Sequence, residues 1–154
     1  MAETVYLETS IFGYLTARPS HNLILLANLE VRWQLRRTDF NLYASESVVE
    51  EVSKGDPEIA SRRLELLKGI PLLPATQTAV DLALHFLAKS NLPPDADVDA
   101  LHIAVATIHS LDYLLTWNCR HTANAQIQKK LAQISNDFGF KLPILCTPYE
   151  LLGD

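Results

Sequence analysis

"DALHIAVATIHSLDYLLTWN", residues 99–118, decides the architecture. An acid, Asp99, stands at the head of an apolar segment of helical length, "ALHIAVATIHS". A short link through Leu111 and Asp112 leads to "YLLT" (113–116), an apolar run of strand length. Two residues after that strand comes a polar side chain, Asn118. A helix that feeds a short apolar strand is one half of an alternating β/α arrangement.

The same alternation extends in both directions. Toward the N-terminus, "NLPPDADVD" (91–99) reads as a loop and residues 77–89 as a helix. "IPLLPA" (70–75) is a short strand whose prolines place it at a sheet edge. Asp56-Pro57 opens a helix that runs to about Lys68, with Pro57 at its first position. "SESVVEEVSKG" (45–55) reads as a helix with a serine near its start, and "FNLYAS" (40–45) as a strand. "HNLILLANLEVRWQLRR" (21–37), after a turn at Arg18-Pro19-Ser20, has helical length with Leu23, Leu26, Ala27 and Leu35 near one face. Residues 4–7 form the first strand. Toward the C-terminus, "ANAQIQKKLAQIS" (123–135) is a helix, "PILCT" (143–147) the last strand and "PYELL" a terminal turn. Strands apolar on both faces and separated by helices imply a parallel sheet covered by helices. Ligands of such sheets bind beyond the carboxyl ends of the strands.

The composition fits one domain spanning residues 1–154: 48% of the residues are hydrophobic, enough for a core of ordinary size. No apolar run is long enough to cross a bilayer, so no membrane association is expected. "MAETVYLETS" lacks the positive start of a secretory signal, so Cys119 and Cys146 are expected as reduced thiols in the cytoplasm. The formal charge of −5 argues against holding nucleic acid by general electrostatic attraction. It leaves room for an acidic site that works through bound cations.

Four polar side chains fit the carboxyl-end rule or its surroundings. Glu8 follows the first strand, in "VYLETSIFGYL" (5–15), and is trailed by the hydroxyls of Thr9 and Ser10. Asn118 lies just past "YLLT", Asp99 at the start of a helix, and Glu51 inside the helix after the second strand. Oxygen donors of this kind suit a hard cation such as Mg²⁺ or Mn²⁺. Each also has a plain structural reading: Glu8 and Asn118 as loop residues, Asp99 as a favourable charge at a helix N-terminus, Glu50 and Glu51 as a solvated face.

The order "YLETS", "SESVVEEVSKG", "DVDALHIAVA", "DYLLTWN" resembles the PIN-domain family, which includes the VapC-type toxins of toxin–antitoxin pairs, and the resemblance covers nearly the whole chain. It implies a three-layer α/β/α sandwich around a central, mostly parallel sheet of four to five strands. It also implies an acidic cluster that holds Mg²⁺ or Mn²⁺ and cleaves RNA, a small antitoxin partner and a homodimer. Glu8 falls on the family's first acid, Ser10 on the small hydroxyl residue after it, and Glu51, followed by Val52 and Gly55, on the second acid. Asp99 falls on the third acid, Thr116 on the strand-end threonine and Asn118 on the fourth acid. Two positions depart from the pattern: Glu8 is a methylene longer than the usual Asp, and Asn118 carries no charge. Weak metal binding is therefore expected, since a neutral amide does not restore lost Coulombic attraction.

Other features carry less. Asp95 and Asp97 lie near Asp99, and His121 and Asn124 near Asn118; the acids read as solvated loop, and His121 as a phosphate contact or a surface residue. Cys119 and His121 lack the two further ligands that zinc needs. His102 and His109, seven apart on one helix, read as packing or surface residues. The segment around Trp33, with Arg32, Arg36 and Arg37, reads as an amphipathic helix and a candidate partner surface.

Overall fold

The structure, a computed structural model, describes residues 2–15, 33, 36–93, 95–117 and 125–152. Its elements in chain order are β1 (Glu3–Leu7), α1 (Thr9–Leu15), β2 (Phe40–Ser45), α2 (Glu46–Val52), α3 (Pro57–Leu67), β3 (Leu72–Leu73), α4 (Gln77–Lys89), α5 (Asp97–Ile108), β4 (Tyr113–Leu115), α6 (Ala125–Asp137), β5 (Ile144–Cys146) and α7 (Pro148–Leu152). A short 3-10 turn, Arg37–Asp39, precedes β2.

The sheet has five strands, all parallel, in the order β3-β2-β1-β4-β5. The chain moves outward from β1 through β2 to β3, then returns to the other side of β1 for β4 and β5. The reversal of strand order therefore falls between β1 and β4. Right-handed crossovers in opposite directions put the two sets of helices on opposite faces. The packing agrees: α1, α2 and α3 contact one another, while α4 packs against α5 and α6. The result is a three-layer α/β/α sandwich. β1 lies between β2 and β4 and between two helical layers, so Val5, Tyr6 and Leu7 are fully buried. The prolines around β3 meet their reason too, because β3 is an edge strand.

Local signals fix the helix starts. Ser45 caps α2 by accepting the Val48 N–H, Asp56 caps α3 through Glu58 N–H with Pro57 behind it, and Thr76 caps α4 through Ala79 N–H. α5 is buried over most of its circumference, from Ala100 and His102 to Thr107, as expected of a helix at the centre of a layer. Gly139, at φ 85°, ends α6 in a backbone conformation that a side chain would strain.

Several expectations need correction. The residues after Glu8, given no element from the sequence, form a helix, α1. α5 begins at Asp97, so the loop ends three residues earlier than read and Asp99 sits in the first helical turn. "PYELL" is the short helix α7 rather than a turn. Trp33 is 4% exposed and belongs to the core, with the Arg37 guanidinium 5.7 Å from its ring centroid; a side chain so buried offers no partner surface. The rest of the segment 21–35, and Cys119, His121 and Asn124, lie outside the described residues. No helix among the described residues is long and apolar enough to cross a membrane.

Candidate functional site

β1 and β4 run in register, Leu7 beside Leu115, so the next residues of each strand, Glu8 and Thr116, meet side by side. Glu8 N–H extends the ladder by donating to Leu115 O at 3.1 Å. At the opposite end of the pair, Asp112 Oδ2 accepts from Thr4 N–H at 2.8 Å, and Asp112 N–H donates to Thr4 Oγ1 at 2.9 Å, which locks the register. The meeting of Glu8 and Thr116 thus falls at the carboxyl ends of two neighbouring strands, where the strand order reverses. That is the ligand position of an open α/β sheet.

Glu8 is only 7% exposed, yet it is well provided with donors. Its Oε1 accepts from Ser10 Oγ at 2.5 Å and from Thr116 Oγ1 at 2.8 Å, and its Oε2 from Ser10 N–H at 3.0 Å. Ser10 Oγ in turn accepts the Trp117 N–H at 2.8 Å. Glu8 therefore occupies the position before α1 and cushions that helix start, while Ser10 and Thr116 fix the direction of its carboxylate. The sequence-derived trio Glu8, Ser10 and Thr116 comes together.

Glu51 is tied to this trio through Thr9, the residue between Glu8 and Ser10. Thr9 Oγ1 donates to Glu51 Oε1 at 2.6 Å, and His102 Nε2 lies 2.6 Å from the same oxygen. The His102 ring continues to Tyr6: Nδ1 is 2.6 Å from the Tyr6 hydroxyl, which is 2.7 Å from Ser45 Oγ. Burial works to raise the Glu51 carboxyl, but the bonds from His102 and Thr9, with the charges of His102 when protonated and of Lys54, outweigh it and hold Glu51 below its ordinary value. Burial pushes the Tyr6 hydroxyl well above its ordinary value. The Ser45 bond opposes the rise, and the negative charges of Glu8 and Glu51 add to it, so Tyr6 keeps its proton.

Asp99 sits half-buried in the first turn of α5, one turn before His102 and so on the same helix face. Asp97 and Asp95 are exposed near it, in keeping with their solvated reading. Asn118 lies outside the described residues. Among the described residues, no three His, Cys, Asp or Glu side chains are gathered as the ligands of one cation would be. The donor chemistry still suits Mg²⁺, which keeps several waters and takes one or two carboxylates plus substrate phosphate rather than a full protein cage. Glu8 and Glu51 supply such carboxylates at one sheet edge.

Sequence reasoning missed His102 and Tyr6 as members of this arrangement, and Thr9, singled out beside Ser10 to orient Glu8 or a water, bonds Glu51 instead. His102 is neither a surface residue nor apolar filler: it is 1% exposed and bonded at both nitrogens. A usable signal was present, since a histidine three residues after Asp99 on one helix shares its face.

No family model matches the chain, and no curated protein matches it. Solved structures do. The crystal structure of VapBC2 from Rickettsia felis, bound to a DNA fragment from their promoter, is similar to this chain with a TM-score of 0.57 at 16% sequence identity, over 94% of this chain and 98% of that one. VapBC-5 from Mycobacterium tuberculosis, a member of the VapBC family of toxin–antitoxin systems, gives a TM-score of 0.47 at 17% identity, over 75% of this chain and 85% of that one. The second correspondence is too loose to carry an argument, and the first is a likeness of fold. The chain has the fold of a VapC-like PIN domain.

Proposed function

We propose that this chain is a metal-dependent endoribonuclease that hydrolyses RNA phosphodiester bonds, as the toxin of a toxin–antitoxin pair in the cytoplasm. The observation that carries the reading is Glu8: a buried carboxylate at the switch point between β1 and β4, aimed by Ser10 and Thr116. A carboxylate taken out of water and given three donors is costly to assemble for a structural purpose alone. Glu8, Glu51 and Asp99, with Asn118, would hold Mg²⁺ or Mn²⁺. Such an ion, when bound, supplies a water of lowered pKa and positive charge against the phosphate. Ser10 and Thr116 keep Glu8 in one orientation. Glu51, partly open to solvent and ionised at neutral pH, would accept the proton of an attacking water. A small antitoxin protein and a second copy of the chain are the partners proposed.

A second reading, a PIN domain that binds RNA or protein without cleaving it, is favoured by one observation. Oε1 of Glu8 and Oε1 of Glu51 are each already engaged by two donors. The two readings part on one experiment: Mn²⁺ affinity by calorimetry beside cleavage of an unstructured RNA, for wild type, Asn118→Asp and Asp99→Asn. The nuclease reading expects tighter binding and faster cleavage at limiting metal for Asn118→Asp, and loss of both for Asp99→Asn. Metal binding without cleavage in wild type and Asn118→Asp supports the second reading.

A further inference from the structure

Glu51 Oε1 accepts two bonds and an ionised carboxylate has no hydrogen to give, so His102 Nε2 must be the donor. In the neutral ring, donation through Nε2 leaves Nδ1 as an acceptor. The atom facing Nδ1 is the Tyr6 hydroxyl, whose single hydrogen then points at the ring. The Tyr6 oxygen is left to accept from Ser45 Oγ. Ser45 Oγ itself accepts the Val48 N–H at 3.4 Å, at the start of the helix that carries Glu51. Every link is satisfied in one direction, Ser45 to Tyr6 to His102 to Glu51. The opposite direction turns the Tyr6 hydrogen onto Ser45 and leaves the Ser45 hydrogen without an acceptor among the described residues. Ser45, Tyr6 and His102 are each at most 1% exposed, so water does not compete for these bonds.

We propose that His102 is a positioning residue, anchored by Tyr6 and Ser45, that holds Oε1 of Glu51 inward and presents the carboxylate to the open sheet edge in a single orientation. Glu51 is the one partly exposed member of the chain, 31% open at its side chain against 1% for His102. A long acid on a seven-residue helix would otherwise sample several rotamers. Thr9 and His102 reach it from α1 and α5, two different helices. The consequence for metal binding rests on the nuclease reading; the positioning geometry does not.

The test compares two near-neighbours of histidine. His102→Gln places its amide nitrogen where Nε2 stands and keeps a donor to Glu51. His102→Asn keeps a polar group beside Tyr6 but stops short of Glu51. Mn²⁺ alone is titrated calorimetrically against wild type and both variants, with urea denaturation as the control for folding. A ¹⁵N spectrum of the wild-type imidazole, which needs no metal, is compared with that of Tyr6→Phe. The expected spectrum has the hydrogen on Nε2 in both proteins, because Glu51 Oε1 still faces that atom, with the Nδ1 resonance shifted in Tyr6→Phe by loss of the Tyr6 hydrogen bond. The expected affinity of His102→Gln is that of wild type. That of His102→Asn is weaker by about 10–100-fold, the range seen when a residue orienting a metal ligand is lost. A wild-type hydrogen on Nδ1 alone, a wild-type mixture, or equal Mn²⁺ affinity for the two folded variants overturns the proposal. Should His102→Asn not fold, the wild-type and Tyr6→Phe spectra decide. Should wild type bind no Mn²⁺, the nuclease reading falls, and the same spectra still decide the positioning role.

Discussion

Thr116 Oγ1 donates to Glu8 Oε1 at 2.8 Å, joining residues 108 apart in sequence at the ends of β1 and β4. The bond is a product of strand register: once Leu7 pairs with Leu115, the next side chains have to meet. Both are buried, and Thr116 is fully so. Thr116→Val keeps the shape and removes the donor, leaving Glu8 with Ser10 alone among the bonds that aim it. The expected loss is about 1–3 kcal/mol of unfolding free energy, the cost of leaving a buried polar group short of a partner. Urea denaturation of the two proteins measures it.

Glu51 makes the fold sensitive to acid. Its carboxyl sits below the ordinary value in the folded chain, so between the folded and unfolded pKa values the unfolded state binds more protons. Its contribution to stability is therefore complete above the unfolded value of 4.5 and is lost as pH falls through the folded one. Glu51→Gln should show a shallower fall in stability over that window than wild type. Thermal melts between neutral pH and pH 3, read as the difference between the two proteins, check it.

The helical layer over β4 is a packed interface with one open side. Leu82 in α4 is fully buried, while Leu84, two residues on, is 58% exposed. Leu82→Ala should cost about 2–5 kcal/mol, through lost burial and the cavity left behind. Leu84→Ala should stay within about 0.5 kcal/mol of wild type. Denaturant midpoints separate the two.

Cys146 closes β5 with its thiol buried. Burial, and then the Glu150 charge, push it up to about 12, so almost no thiolate is present near neutral pH. An alkylating reagent at pH 8, followed by peptide mapping, should leave Cys146 unmodified in the folded protein and label it once the chain is unfolded in urea.

The sequence carried the frame of this fold well, because its strands are short apolar runs and its helices are marked by caps. "FNLYAS" is β2 to the residue, Asp56-Pro57 opens α3 as read, and the prolines of "IPLLPA" do mark an edge. α1 was hidden because its cap, Glu8, is not among the usual capping residues and Gly13 interrupts its short run. Of the candidate site, Glu8 was legible as a strand end, and Ser10 and Thr116 through the family resemblance. The link from Glu51 to His102 spans 51 residues and that from His102 to Tyr6 spans 96. Helical periodicity sees neighbours three and four residues apart and cannot see such pairs.

The measurement that bears most directly on the central claim is cleavage of an unstructured RNA by wild type and Glu8→Gln, with Mn²⁺ present and then removed by chelation. Glu8→Gln keeps the size of the side chain and removes its charge at the switch point. The account predicts cleavage by wild type that chelation abolishes. It predicts a fall of at least about a hundredfold for a folded Glu8→Gln, the scale on which one electrostatic contact at a reacting centre counts. Cleavage that survives both chelation and Glu8→Gln would contradict it.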